Sequence, residues 1–388
     1  MTTELYKEAV EPFAEALDII KEEGGEALKL CYQCGLCSGS CPWNLVKDFI
    51  VRRIMHQAQL GLVDFESEEM WLCATCRNCV QRCPRGVEII DVMRAMRRAI
   101  VSLGVAKVPD SLRITVKNIS ASGNPLGETA EKRTEWTKGL DIKTYTKGTE
   151  VLYFSCCIPA YDSKVQRVAR ATANVMKKAG VDFGILGAKD VCCGESVRKA
   201  GDENVFQSLA QTNIGNFKEA GVSKIVTTSP HCYSTFKNEY PDLGGSFEVI
   251  HFTQYLAELI EQGRLKFTRE LNKKVAYHDP CYLGRHSGIY DEPREVLKNI
   301  PGLELVEMRN FRDNSLCCGG GGGGIWMEAR KGERLSDVRL EQALATDADI
   351  LAVACPYCLS NFEDSILTMD KNADIEVKDI SELVQDAL

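Results

Sequence analysis

No run in these 388 residues is apolar for long enough to cross a bilayer, which argues against a direct membrane span. Nor is there a basic tract of the kind that tracks phosphates. The formal net charge is −8, so nucleic acid is not an expected partner. The opening residues, MTTELYKEAVEPFAEALD, carry acids throughout and lack the basic-then-apolar order of an export signal. The expected location is therefore cytoplasmic, with membrane attachment only through a partner. A G-x-G-x-x-G dinucleotide fingerprint behind a strand is missing, so any flavin belongs to another chain. What remains is ordinary globular material, 44% hydrophobic and 26% charged, long enough for two or three packed units.

Against these absences stand 18 cysteines. Disulfide scaffolds are short and exported, whereas these cysteines fall in tight clusters inside a long chain, which favours metal. Two segments repeat one pattern. CYQCGLCSGSCP supplies Cys31, Cys34, Cys37 and Cys41, and CATCRNCVQRCP supplies Cys73, Cys76, Cys79 and Cys83. Both read C-x2-C-x2-C-x3-C-P, the run of bacterial [4Fe–4S] ferredoxins, in which the fourth cysteine ligates the other cluster. The spacing lets three thiolates wrap one face of a cube while the intervening amides turn inward. The expectation is one cluster on Cys31, Cys34, Cys37 and Cys83 and another on Cys73, Cys76, Cys79 and Cys41. Zinc is the competing reading, but zinc sites take separated pairs rather than two unbroken sets of four.

The segments LVKDFIVRRIMHQAQLGL and VEIIDVMRAMRRAIVSLG carry apolar residues at helical spacing, with Val92, Met93, Met96 and Ile100 on one side. Arg94, Arg97 and Arg98 are expected to form a solvated helix face, with docking of an acidic partner the alternative. His56 lies on the linking helix and is expected to be a packed or surface histidine. Residues 1–104 thus form a helical ferredoxin-like module. Residues 105–148, polar and containing NPLGETAEKRTEWTKG, read as a connector running over the surface.

Beyond 148 the chain repeats itself. VLYFSCCIPAY answers KVAYHDPCYLGRH, DVCCGES answers SLCCGGG, and IVTTSPHCYSTF answers ILAVACPYCLSNF. Three landmarks in one register indicate a duplicated domain, 149–270 and 271–388. Strands are expected near 151–155, 181–186, 224–228 and 247–252, with helices near 163–179, 203–219 and 253–262. The second copy gives strands near 274–278, 303–308 and 349–354 and helices near 326–345 and 358–367. Such alternation implies parallel α/β units with ligands gathered at strand C-termini. The expected fold class is therefore α + α/β, a helical ferredoxin-like module followed by two duplicated α/β Cys-Cys-Gly domains.

The second copy holds Cys281, Cys317, Cys318, Cys355 and Cys358, more thiols than one zinc needs. Glycines 319–324 suit backbone that approaches sulfur closely. A phosphate-cradling loop is the alternative, but the following Lys-Ser/Thr is missing. The first copy holds Cys156, Cys157, Cys192, Cys193 and Cys232, while Ser229 stands where Cys355 stands in the second. That site has lost a member or borrows Cys157. It either holds a cluster or is a relic whose cysteines pack as small hydrophobes. His278, His286 and His231 flank these cysteines as proton sources or supporting side chains.

In these residues, and in YHDPCYLGRH, PREVL, CCGGGG and CPYC, the chain resembles the D subunit of heterodisulfide reductase, a fusion of that enzyme's C and B modules. The first module looks like the helical ferredoxin of that enzyme and of succinate dehydrogenase iron–sulfur proteins. Relatives of this layout include iron–sulfur subunits of glycolate and lactate oxidation, subunits working with electron-transferring flavoproteins, and a subunit of benzoyl-CoA reductase complexes. The resemblance implies two [4Fe–4S] clusters and a noncubane [4Fe–4S] cluster on Cys281, Cys317, Cys318, Cys355 and Cys358. A fourth cluster on Cys156, Cys192, Cys193 and Cys232 is put in question by Ser229. The implied role is an electron-transfer subunit of an anaerobic complex, between a flavoprotein partner and a quinone, a thiol–disulfide or another redox subunit. Catalytic disulfide reduction is the alternative.

Overall fold

Four short apolar runs, VLY, FG, KIVT and EVIH, lie extended side by side because each is buried almost throughout, the pattern of a parallel sheet covered on both faces. They are β1 (Val151–Tyr153), β2 (Phe183–Gly184), β3 (Lys224–Thr227) and β4 (Glu248–His251), in the order β2-β1-β3-β4, all parallel. The second copy repeats this with β5 (Lys274–Tyr277), β6 (Glu304–Val306), β7 (Ile350–Val353) and β8 (Glu376–Asp379), in the order β6-β5-β7-β8. The computed structural model describes residues 12–13, 15–62, 67–104, 108–330, 332–371 and 374–388.

In both sheets the chain winds outward from the first strand to one side and then returns to pair on the other. Crevices at the C-terminal ends of such strands, where the winding reverses, are the ligand-binding places of open α/β sheets. Cys156 and Cys281 follow the first strand of each sheet, and Ser229 and Cys355 follow the third. Each third strand passes into a helix with proline at its first position, Pro230–Asn238 and Pro356–Thr368, where the missing N–H costs nothing. The cysteine-bearing loops of each copy are thus held at one end of one sheet.

The two copies share a core. Helix Gln166–Lys178 of the first packs on helix Ile380–Ala387 of the second, fastened by Arg167 to Glu382 (2.8 Å) and Glu363 (2.5 Å). The first module packs on the second copy, in a cluster joining Trp71, Val92, Met93 and Met96 to Cys281, Tyr282 and Cys317. Helix Ile89–Leu103 presents the expected face, with Val92, Met93, Met96 and Ile100 buried, and ends at Gly104 in the left-handed conformation.

Four expectations need correction. The surface connector is largely structured. Asp110–Ser122 is helical, Ala130–Thr137 is a 3-10 segment, and Arg133, Trp136 and Tyr145 are buried, Trp136 against Tyr153. Its polar composition hid single large side chains at core positions. The helix expected over 326–345 begins only at Leu335, because Gly324–Trp326 forms a tight turn behind the glycines. β8 and helices Asp291–Asn299 and Ile380–Ala387 complete the second copy beyond the elements expected there. Finally, the arginines of helix Ile89–Leu103 are neither a freely solvated face nor a free docking face. Arg94 pairs with Asp91, Arg98 pairs with Glu203, and Arg97 is 1% exposed.

Candidate metal centres

The two ferredoxin-type loops fold alike. Gln33 and Gly35 in the first, and Thr75 and Arg77 in the second, take positive φ at matching positions. Left-handed residues at such spacing turn successive N–H groups inward and create a concavity for anions, here thiolates and sulfide. Cys31, Cys34, Cys37 and Cys83 line one cavity, and Cys41, Cys73, Cys76 and Cys79 line another. The fourth cysteine of each run therefore stands with the other run's three. Val87 N–H donates to Cys83 Sγ (3.4 Å) and Gln33 Nε2–H to Cys31 Sγ (3.5 Å). The first cavity opens to solvent, with Cys34, Tyr32 and Leu36 exposed, whereas the second lies under the rest of the chain. Burial, reinforced by neighbouring thiols, pushes the Cys79 thiol well above its ordinary pKa, and burial raises Cys73. Thiolates there need a cation's charge, which iron supplies.

The second cavity adjoins the second copy. The Cys76 thiol is in hydrogen-bonding contact with Cys317, and around that contact the two units are bolted together. Arg285 donates from Nε to Cys76 O (2.6 Å) and from Nη1 to Ser315 O (2.6 Å). His286 Nε2 meets Thr75 O at 2.8 Å, and the Thr75 hydroxyl meets the Tyr282 hydroxyl at 2.8 Å. Arg97 donates to the carbonyls of Met70, Cys73, Lys199 and Gly322, binding three parts of the chain through one guanidinium. A Cβ on Gly321 would lie 2.4 Å from Ala74 O and one on Gly322 2.1 Å from Cys73 O. These glycines answer to the neighbouring loop's backbone as well as to sulfur, since Gly319 N–H also donates to Cys317 Sγ (3.3 Å).

Cys281, Cys317, Cys318, Cys355 and Cys358 gather at the ends of β5, β6 and β7, all buried. Cys281 Sγ is 4.0 Å from Cys317 Sγ, and Cys358 Sγ is 3.3 Å from Cys318 Sγ. His278 joins them, with its ring, Cys318 and Cys358 within 4.8 Å of one another. Its Nδ1 accepts from Arg339 Nε (3.2 Å), which leaves the buried Nε2 without a hydrogen-bond partner beside these thiols. Cys355 meets His231, which the first copy supplies from the position matching Tyr357. The Glu195 carboxylate is 3.1 Å away. Burial works against a charged His231, but Glu195 and then Cys355 outweigh it and raise its pKa to about 10. His286 instead stacks on Tyr282 at 4.0 Å and is driven by burial to about 3, and His56 is exposed on helix Val51–Gln59.

In the first copy Cys156, Cys157, Cys192, Cys193 and Cys232 are likewise buried together. Cys232 is in contact with Cys156 and Cys193, and Cys192 with Cys193 and Cys157. Ser229 Oγ accepts from Cys232 N–H (3.4 Å), the N-cap of its helix. No side-chain cap of this kind is made by Cys355. The buried groups that sequence reading passed over are Arg133, Glu195, Tyr282 and Arg285. Of these, Glu195, Tyr282 and Arg285 lay inside segments whose repetition drew notice.

A paired-loop module in which each run's fourth cysteine lies with the other run's three, set against two parallel sheets with cysteines at their strand ends, defines an iron–sulfur protein. Residues 27–87 match the 4Fe-4S dicluster domain, and residues 151–237 and 275–363 each match the Cysteine-rich domain, CCG. The chain belongs to the family of iron–sulfur proteins that includes the D subunit of heterodisulfide reductase. It is 33% identical over 392 residues to the D subunit of dihydromethanophenazine:CoB--CoM heterodisulfide reductase from Methanosarcina mazei, covering 93% of this chain and 94% of that one. It is 39% identical over 326 residues to the probable iron-sulfur-binding oxidoreductase FadF of Bacillus subtilis, and 34% over 336 residues to EtfAB:quinone oxidoreductase of Syntrophomonas wolfei. Those alignments cover 82% and 83% of this chain but 46% and 47% of the relatives, so the chain spans about half their length. Among the described residues no helix is long and apolar enough to cross a membrane.

Proposed function

We propose that the chain is the iron–sulfur electron-transfer subunit of a multi-subunit, heterodisulfide reductase-like oxidoreductase complex. One [4Fe–4S] cluster is assigned to Cys31, Cys34, Cys37 and Cys83, and a second to Cys73, Cys76, Cys79 and Cys41. A third, of the noncubane kind, is assigned to Cys281, Cys317, Cys318, Cys355 and Cys358. The partner on one side is a flavoprotein subunit, and on the other a quinone, a thiol–disulfide or a further redox subunit. The observation that supports this reading is that Cys76 and Cys317 are neighbours within one packed cluster, which brings the second and third sites side by side. When bound, the clusters supply one-electron transfer. The chain's own residues fix the spacing. Arg285 and His286 hold the Thr75–Cys76 backbone, Tyr282 holds the Thr75 hydroxyl, and the buried aromatic and aliphatic wall around them excludes water. The exposed Cys34 edge, beside Tyr32, Leu36, Arg52 and Arg85, is where a partner reaches the first site.

The test is iron and acid-labile sulfide per chain after strictly anaerobic purification, followed by reductive titration with electron paramagnetic resonance. At four irons per cluster, about twelve or more irons are expected, with spin coupling between the centres at Cys76 and Cys317. Zinc without sulfide, or no reducible centre, would overturn the assignment.

A second reading, disulfide reduction at the Cys355 site, is favoured by His231. The ion pair with Glu195 keeps its imidazolium charged beside Cys355, where it can give a proton to a departing thiolate. Reduction of a small heterodisulfide by the chemically reduced chain would support it. A chain with intact clusters and no turnover would leave only the carrier.

A further inference from the structure

We infer that the first copy also holds an iron–sulfur cluster, and that Cys157, which has no counterpart in the second copy, is one of its ligands. Tyr282 stands at the matching position after Cys281, and the second copy fills its ligand set with Cys355 instead. Ser229 is a poorer iron ligand than a thiolate, and its hydroxyl is engaged by capping the helix that carries Cys232 and by facing Cys156. Cys157 restores the count from the opposite edge. Its thiol neighbours Cys192, and Cys156, Cys157, Cys192, Cys193 and Cys232 form one buried group of successive neighbours. Beside Cys192 it takes the place that Cys76 of the ferredoxin module takes beside Cys317.

Two independent features point to an anion at this edge. Arg133 is 1% exposed and directs Nη1 at Cys157 Sγ, 3.6 Å away, while its Nε and Nη2 find no hydrogen-bond partner. The guanidinium is fixed over Phe154 (5.0 Å) and Tyr161 (5.9 Å). The buried Asp190 carboxylate and the Tyr161 hydroxyl face the same guanidinium; buried donors are rarely left unpaired, and a thiolate or an inorganic sulfide is the further acceptor this wall of thiols would provide. The second feature is backbone. Cys156 has φ 60 and ψ 162, a conformation nearly confined to glycine, and it directs the adjacent Cys156 and Cys157 to different neighbours. Ligation deprotonates Cys157, and its proton leaves to solvent as iron binds.

The experiment compares the anaerobically purified chain with Cys157→Ala, with Cys355→Ala as the control at the other site. At four irons per cluster, about sixteen irons are expected in the parent and about twelve in each variant, with a different resonance signal lost in each. The double variant Cys157→Ala/Ser229→Cys, which returns a thiol at the second copy's position, is expected to regain about four irons. In Arg133→Gln the iron count is expected to hold, while one midpoint potential falls as a positive charge is withdrawn. A parent already at about twelve irons overturns the inference while leaving the relay intact. So does an undiminished count in Cys157→Ala, or a double variant that regains nothing.

Discussion

At the scale of single residues, Gly321 separates two demands that glycine usually confounds. Its φ is not positive, so its lack of a side chain answers only to the Ala74 carbonyl 2.4 Å from where a Cβ would stand. Gly321→Ala is expected to lower stability by roughly 1–3 kcal/mol through overpacking. It is also expected to weaken spin coupling between the centres at Cys76 and Cys317. Gly320→Ala, whose Cβ would meet side chains rather than backbone, the Asn361 amide at 3.1 Å, Tyr357 Cβ at 3.3 Å and Cys318 Sγ at 3.6 Å, is the matched control. Anaerobic thermal unfolding at a fixed scan rate, with resonance spectra of the reduced chains, checks both. Equal losses in the two variants would remove the close approach as the cause. The glycines were legible in the sequence as a place of close contact, but the contact was expected to be sulfur alone. The partner loop lies far away in the chain, and nothing in a run of six glycines records what lies against it.

At the scale of elements, local spacing carried the furthest. Crossed sets of four were readable because each run's three leading cysteines are neighbours within one loop, and the C-x2-C-x2-C-x3-C-P run fixes where the fourth must go. Strand ends were readable because apolar runs recur in two copies of one register. Helix Ile89–Leu103 shows the limit. Its apolar face was correctly placed, yet Arg97 looked like surface charge, because periodicity registers a long polar side chain without saying what satisfies its head. Arg97 reaches Gly322, 225 residues further along the chain, and lies over Trp71 at 5.2 Å. Arg97→Met, which strands four carbonyls, is expected to cost roughly 3–5 kcal/mol. Iron should be lost first from the Cys41, Cys73, Cys76 and Cys79 site, read as loss of that centre's signal while the one at Cys34 persists. Retention of both signals and of the unfolding temperature would show that water replaces the guanidinium.

For the molecule as a whole, duplication makes the departures informative. Each place where the copies differ is a place where their surroundings differ. Tyr357 matches His231, and the histidine reaches across to Cys355. Ser229 matches Cys355, and the serine caps a helix while the cysteine faces that histidine. The segment read as a connector belongs to this asymmetry, since it inserts Arg133 and Trp136 into the first copy alone. Its role escaped the sequence because the repeat was aligned on cysteines, and the segment precedes the first of them.

Many electron carriers move, with a cofactor-bearing arm swinging on a linker between the place where it is charged and the place where it discharges. Here Gly321 and Gly322 leave no clearance above Ala74 and Cys73, and Arg97 and Arg285 clasp the same backbone from two sides. An arm so seated has no stroke. On the proposed electron-transfer reading, the chain is expected to behave as fixed wiring, with internal conduction indifferent to the viscosity of the medium and any dependence on viscosity arising from a partner's arrival at Cys34.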